Sequence, residues 1–115
     1  MNPDYQVVVH IDERHKGTLG LNNIENLIAD LGKDKVNVEL VANYEGIEIL
    51  LKSPETYLEQ IERLEKMGVK FAACSNTMRQ RGITKEELVE FAQIVPSGVG
   101  ELVKKQSQGW AYIRP

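Results

Sequence analysis

The chain has 115 residues, 42% hydrophobic and 27% charged, with 17 acidic against 14 basic side chains and a net charge of −3. This is the size of one domain over residues 1–115, since two would each be too small to bury enough apolar surface, and so many apolar residues at so low a charge exclude a disordered chain. No stretch reaches the ~20 apolar residues of a membrane helix, the polar start from Met1 to Gln6 lacks the pattern of a secretory leader, and the acidic balance without a basic stripe excludes a direct nucleic-acid surface.

The run YQVVVHI at 5–11 is β-branched, long enough for a strand and too short for a helix. After Gly17, Thr18 and Gly20, the spacing of Leu21, Ile24, Leu27, Ile28 and Leu31 predicts a helix with one apolar stripe, ended by Gly32. KVNVELVA at 35–42 predicts a second strand, buried on both faces near its end. Gly46 with Ile47, Ile49, Leu50 and Leu51 suits a short helix, and a strand also fits. Ser53-Pro54-Glu55 reads as a helix start, with a hydroxyl cap, proline in the first turn and an acid at the positive end. Tyr57, Leu58, Ile61 and Leu64 continue that helix to Gly68.

VKFAA at 69–73 predicts the third strand, and Asn76 to Gln80 a helical turn that Gly82 interrupts. Thr84-Lys85-Glu86-Glu87 fits a capping box, with Leu88, Phe91 and Ala92 following at helical spacing. A brief fourth strand, Gln93 to Val95, stops at Pro96. Val99, Leu102, Val103 and Gln106 mark a helix starting near Ser97-Gly98, and Trp110 to Ile113 a last short strand. Alternating strands and helices imply right-handed crossovers. The expected fold is α/β: a three-layer α/β/α sandwich on a mostly parallel five-stranded sheet.

Ligands in such sheets bind beyond the carboxyl ends of the strands. That rule selects His10 and Asp12, then Asn43, then the stretch Cys74, Ser75, Asn76 and Thr77, and finally Ser97 and Gly98. The only cysteine therefore falls where a functional residue would fall. A helix start after Cys74 favours its thiolate, and Arg79 and Arg81 would add positive potential. A thiolate is a nucleophile and a sulfur acceptor. The plain alternative has equal standing from position alone: a lone cysteine closing a strand is often a small apolar filler.

Other chemistries fail on spacing. A single cysteine excludes an internal disulfide or two-thiol redox couple and suits a reducing cytoplasm. A cysteine-phosphatase loop needs arginine six positions on, where Gln80 stands, and a rhodanese-type loop usually has an internal glycine, absent here. No glycine-rich nucleotide loop occurs, and Ser97-Gly98-Val99-Gly100 reads better as a tight turn into a helix than as an anion cradle. His10, Asp12, His15 and Cys74 include metal-ligand types, but no second pair completes a site, so neither metal nor cofactor is expected. His10 is expected to be hydrogen-bonded at its strand end or placed beside Cys74 as a base. Trp110, Tyr112 and Pro115 suit core or a subunit contact.

VVVHIDE, NLIADLG, VELVANYEGIEILL, GVKFAACSNTM and VPSGVGELVKKQSQGWAYIRP, in this order over nearly the whole chain, resemble the DsrE/DsrF-like family. ACSNTM at 73–78 and the closing SGVGELVKKQ with GWAYIRP are the most specific blocks. The resemblance implies an α/β/α fold, a homo-oligomer (a trimer or hexamer), and work in intracellular sulfur metabolism or tRNA-thiolation relays. In such relays a cysteine takes up sulfur as a persulfide and passes it between donor and acceptor proteins. Cys74 is the position to which that role carries over, with Asn76 and Thr77 in the same motif. The competing expectation is a homo-oligomeric binding or structural module in which Cys74 only lines a pocket.

Overall fold

The computed structural model describes residues 3–115; Met1 and Asn2, part of the polar start expected to carry no leader, lie outside the described residues. Five strands alternate with four helices: β1 (Tyr5–Ile11), α1 (Gly17–Leu31), β2 (Val36–Ala42), α2 (Leu58–Lys66), β3 (Lys70–Cys74), α3 (Ser75–Arg81), β4 (Gln93–Val95), α4 (Gly98–Ser107) and β5 (Ala111–Ile113). The sheet order is β4-β3-β2-β1-β5, and every pairing is parallel. The first crossovers step toward β4. The last returns across the sheet to β5, so α4 lies alone on the opposite face.

Side-chain alternation sorts the residues between these faces. Val7, Val9, Ile11, Val38, Leu40, Ala42, Phe71 and Ala73 meet Leu21, Ile24, Ile28, Ile61, Leu64 and Met78 of α1, α2 and α3 in the main core. The α4 face is thin: Val8, Val41, Ala72 and Leu102 form its core, with Val95 and Trp110 against them. Glu39 also points to this face, beside Val8 on β1 and Lys70 on β3. It is only 4% exposed. Burial first, and then the facing Glu101 carboxylate, push its carboxyl up to about 8, with the Lys105 ammonium pulling the other way.

Two predicted helix segments are not helical. Helix α2 starts at Leu58, not at Ser53-Pro54-Glu55. The preceding segment is tied down: Leu51 bridges Leu88, Lys52 N–H donates to the Glu87 carbonyl, and Val89 N–H donates to the Leu50 carbonyl. The same tie holds Leu88 extended. The capping box at Thr84 and Glu87 therefore forms, but opens only a single 3-10 turn over Lys85–Glu87. Tertiary pairing here overrides local capping signals. The ambiguous stretch after β2 is a 3-10 helix, Tyr44–Leu50. It fits because Gly46 lies directly on the end of β1: a Cβ there would stand 1.9 Å from the Ile11 carbonyl oxygen.

Candidate functional site around Cys74

Cys74 closes β3 and is the N-cap of α3, its Sγ accepting from Thr77 N–H at 3.4 Å. The thiol is 4% exposed. Burial alone would push its pKa up. The Thr77 hydroxyl and the amides of Thr77, Gly98 and Asn76 outweigh that and hold it below the ordinary thiol value. The Thr77 oxygen accepts from Tyr44 N–H at 2.9 Å, which leaves its proton free for the sulfur. Gly98 is the first residue of α4, whose N-cap Ser97 accepts from Gly100 N–H at 3.0 Å. The sulfur thus sits where two helix starts converge, each offering amides to a negative charge.

Asn43 links this corner to the neighbouring strand. A Cβ on Gly98 would lie 3.0 Å from Asn43 Cβ, so glycine allows the close approach of α4. Asn43 Oδ1 lies 2.9 Å from His10 Nε2, and His10 Nδ1 lies 2.8 Å from the Tyr112 hydroxyl. An imidazole with its hydrogen on Nε2 satisfies both contacts. Both ring nitrogens are therefore engaged, and neither bonds the sulfur: of the two expected placements, the structure gives the hydrogen-bonded strand end. Asp12 pairs with Arg114 at 3.1 Å, fastening the chain end beyond β5 over the rim of the sheet.

The remaining predicted residues form the rim. Ser75, Asn76, Arg79 and Ser97, with Ile94, Val95 and Pro96, line an open depression of about 630 Å³ beside Cys74. Arg79 turns back to the Ser75 and Asn76 side chains. Arg81 pairs with Glu48 at 3.3 Å and stacks on the Tyr44 ring. These arginines are committed to other partners, so the field at the sulfur comes from amides and a hydroxyl. Asn22 of α1 accepts from Gln60 of α2, away from this corner. Among the described residues, no group of three or more His, Cys, Asp and Glu side chains is arranged to hold a metal ion.

Tyr112 was expected only as core or contact, because its partner His10 is 102 residues away. Its alternation with Ala111 and Ile113 was the sole signal that it shares a face with Val8. Thr77→Val is expected to slow iodoacetamide alkylation of Cys74 near neutral pH by about tenfold, because a hydrogen bond to a charged group contributes about 1.5 kcal/mol. Thr77→Ser keeps the hydroxyl and is expected to react near the wild-type rate. Equal rates for the two variants would mean that the hydroxyl does not stabilise the thiolate.

A parallel α/β/α domain with a thiol at the carboxyl edge of its sheet defines a class of small single-cysteine α/β proteins. Within that class, a profile of the DsrE/DsrF-like family matches residues 6–115, and the chain belongs to that family. It is similar to a solved structure titled as a protein of unknown function, MTH1491 from Methanobacterium thermoautotrophicum. The identity is 42%, the TM-score 0.91, and the coverage 97% of this chain and 100% of that one. It also shares its fold with the ychN protein from E. coli, at 14% identity and a TM-score of 0.72, over 99% of this chain and 100% of that one. No curated protein matches the chain.

Proposed function

We propose that the protein is a sulfur carrier in which Cys74 takes up sulfane sulfur and hands it on. The observation that carries this reading is the polar setting of an otherwise buried sulfur, with the Thr77 hydroxyl and three backbone amides favouring the thiolate against its burial. In the uptake step the Cys74 thiolate attacks the terminal sulfur of a donor persulfide. A new sulfur–sulfur bond forms at Sγ, the donor's own sulfur–sulfur bond breaks, and its electron pair leaves on the donor thiolate. In delivery an acceptor nucleophile attacks the terminal sulfur and Cys74 departs as thiolate. Stabilising that thiolate makes it a good leaving group. Neither step needs an external oxidant. The depression lined by Ser75, Asn76, Arg79 and Ser97 is the approach for donor and acceptor proteins.

The reading includes a homo-oligomer, a trimer or hexamer, working in the cytoplasm. Val99, Val103, Ile94 and Tyr112, all exposed, supply apolar area for subunit contact. The low exposure of Cys74 favours a second reading, in which the thiol only lines a pocket of an oligomeric module. Loading separates the two. After incubation with a persulfide donor under conditions that charge an established carrier, mass spectrometry is expected to find one added sulfur atom on Cys74. Cys74→Ser should show none and still assemble. An unmodified wild-type Cys74 under those conditions rejects the carrier reading.

A further inference from the structure

Beneath α4 lies a buried acid that the thiol chemistry does not use. Glu39 is only 4% exposed, and its Oε2 is buried with no hydrogen-bond partner among the described residues. The elements packed around it supply none. On β1 its register partner is Val8, which is apolar. On β3 it is Lys70, whose side chain is exposed. Beyond Val8, the Tyr112 hydroxyl of β5 is committed to His10. On α4, Lys105 stacks over the Trp110 ring at 4.6 Å, and its charge acts on Glu39 without a hydrogen bond to it. Helix α4 packs directly on β2, and the charged group that most disturbs Glu39 from that helix is the Glu101 carboxylate. Two carboxyl groups can bond only if one of them carries a proton.

Helix α4 depends on this contact more than a helix normally would. Gly98 and Leu102 are its only buried residues. Glu101 follows Gly98 by three positions, and the Gly98 amide is one of the groups that favour the Cys74 thiolate. Whatever holds Glu101 down therefore holds Gly98 against the sulfur. We propose that Glu39 carries a proton shared with Glu101, that this bond seats α4 on the sheet, and that Glu39 is thereby a positioning residue for Cys74. When the proton leaves, two like charges face each other under a helix with little apolar grip. The helix lifts and Gly98 withdraws from the thiolate. The proton and the seating stand on their own; only their use in sulfur transfer rests on the carrier reading.

The test is a pH titration of the full chain by carbon-detected NMR, following the Glu39 carboxyl carbon, Gly98 Cα and Cys74 Cβ. The Glu39 carboxyl is expected to titrate well above the ordinary carboxylate range, with Gly98 Cα moving at the same midpoint. Glu39→Gln, a neutral mimic able to donate to Glu101, is expected to abolish that step at Gly98 and leave only the ionisation of Cys74. In Cys74→Ser the Glu39-linked step at Gly98 should persist. Glu101→Gln, which turns the facing group into a donor, is expected to move the Glu39 midpoint down by about one pH unit or more. An ordinary carboxylate midpoint for Glu39, or a Gly98 signal indifferent to its titration, overturns the proposal. Absence of sulfur loading with these shifts intact overturns the carrier reading alone.

Discussion

Gly46→Ala is expected to destabilise the protein by about 4 kcal/mol, at the severe end of single substitutions. The added methyl would stand 1.9 Å from the Ile11 carbonyl oxygen and 2.5 Å from its carbon. Both neighbours are backbone, so no side-chain rotation relieves the clash. The Ile11 carbonyl also accepts from Asn43 N–H at 3.2 Å, and Asn43 in turn accepts from Gly46 N–H at 2.9 Å. Displacing one strand end thus pulls on the other and on the Asn43–His10 contact. Against a total stability of roughly 5–15 kcal/mol, the midpoint of thermal unfolding should fall by on the order of 15 °C. Gly20→Ala is the control. Its methyl meets the tip of the Ile11 side chain at 2.3 Å, and a loss of only about 1–2 kcal/mol is expected. Equal losses for the two variants would show that backbone contact at Gly46 is not the cause.

Glu39→Gln is expected to be more stable than the wild type in mildly alkaline buffer and no more stable in mildly acidic buffer. The Glu39 carboxyl is raised from an ordinary value of 4.5 to about 8. The folded state therefore holds a proton that the unfolded chain has already released. Stability is fully present below the ordinary carboxylate range and is lost as pH rises through about 8. One pH unit across that window corresponds to about 1.4 kcal/mol. Between mildly acidic and mildly alkaline buffer, a gain on the order of 2 kcal/mol for the variant is the expected result. Urea unfolding of both proteins at either end of the window measures it. A wild-type pH slope preserved in Glu39→Gln would show that the slope belongs to other groups.

Glu39 also shows how far the sequence can be read. In VNVELVA it is one acid inside an apolar run, and its exposure follows only from which layer covers it. Cys74 could be placed from sequence because strand ends follow from hydrophobic runs and glycine stops, and ligand positions in parallel sheets follow from strand ends. The Thr77 contact was also local, three residues on. Gly98, Asn43 and His10 were selected by the same rule, but their order in space was not. It depends on β5 joining beside β1 and on α4 crossing back over the sheet.

The helix starts expected at Ser53 and Thr84 failed for a related reason. Their local signals were sound, but the Leu51–Leu88 bridge uses those backbones for pairing between distant segments. Sequence alone determined the alternation of strands and helices, the parallel sheet and the edge on which the thiol stands, because each rests on periodicity within a few residues. Tertiary structure decided what surrounds the thiol: amides from two helices and one hydroxyl, with the arginines and the histidine turned to other partners. Those contacts join residues far apart in the chain, and only the packed sheet brings them within hydrogen-bonding distance.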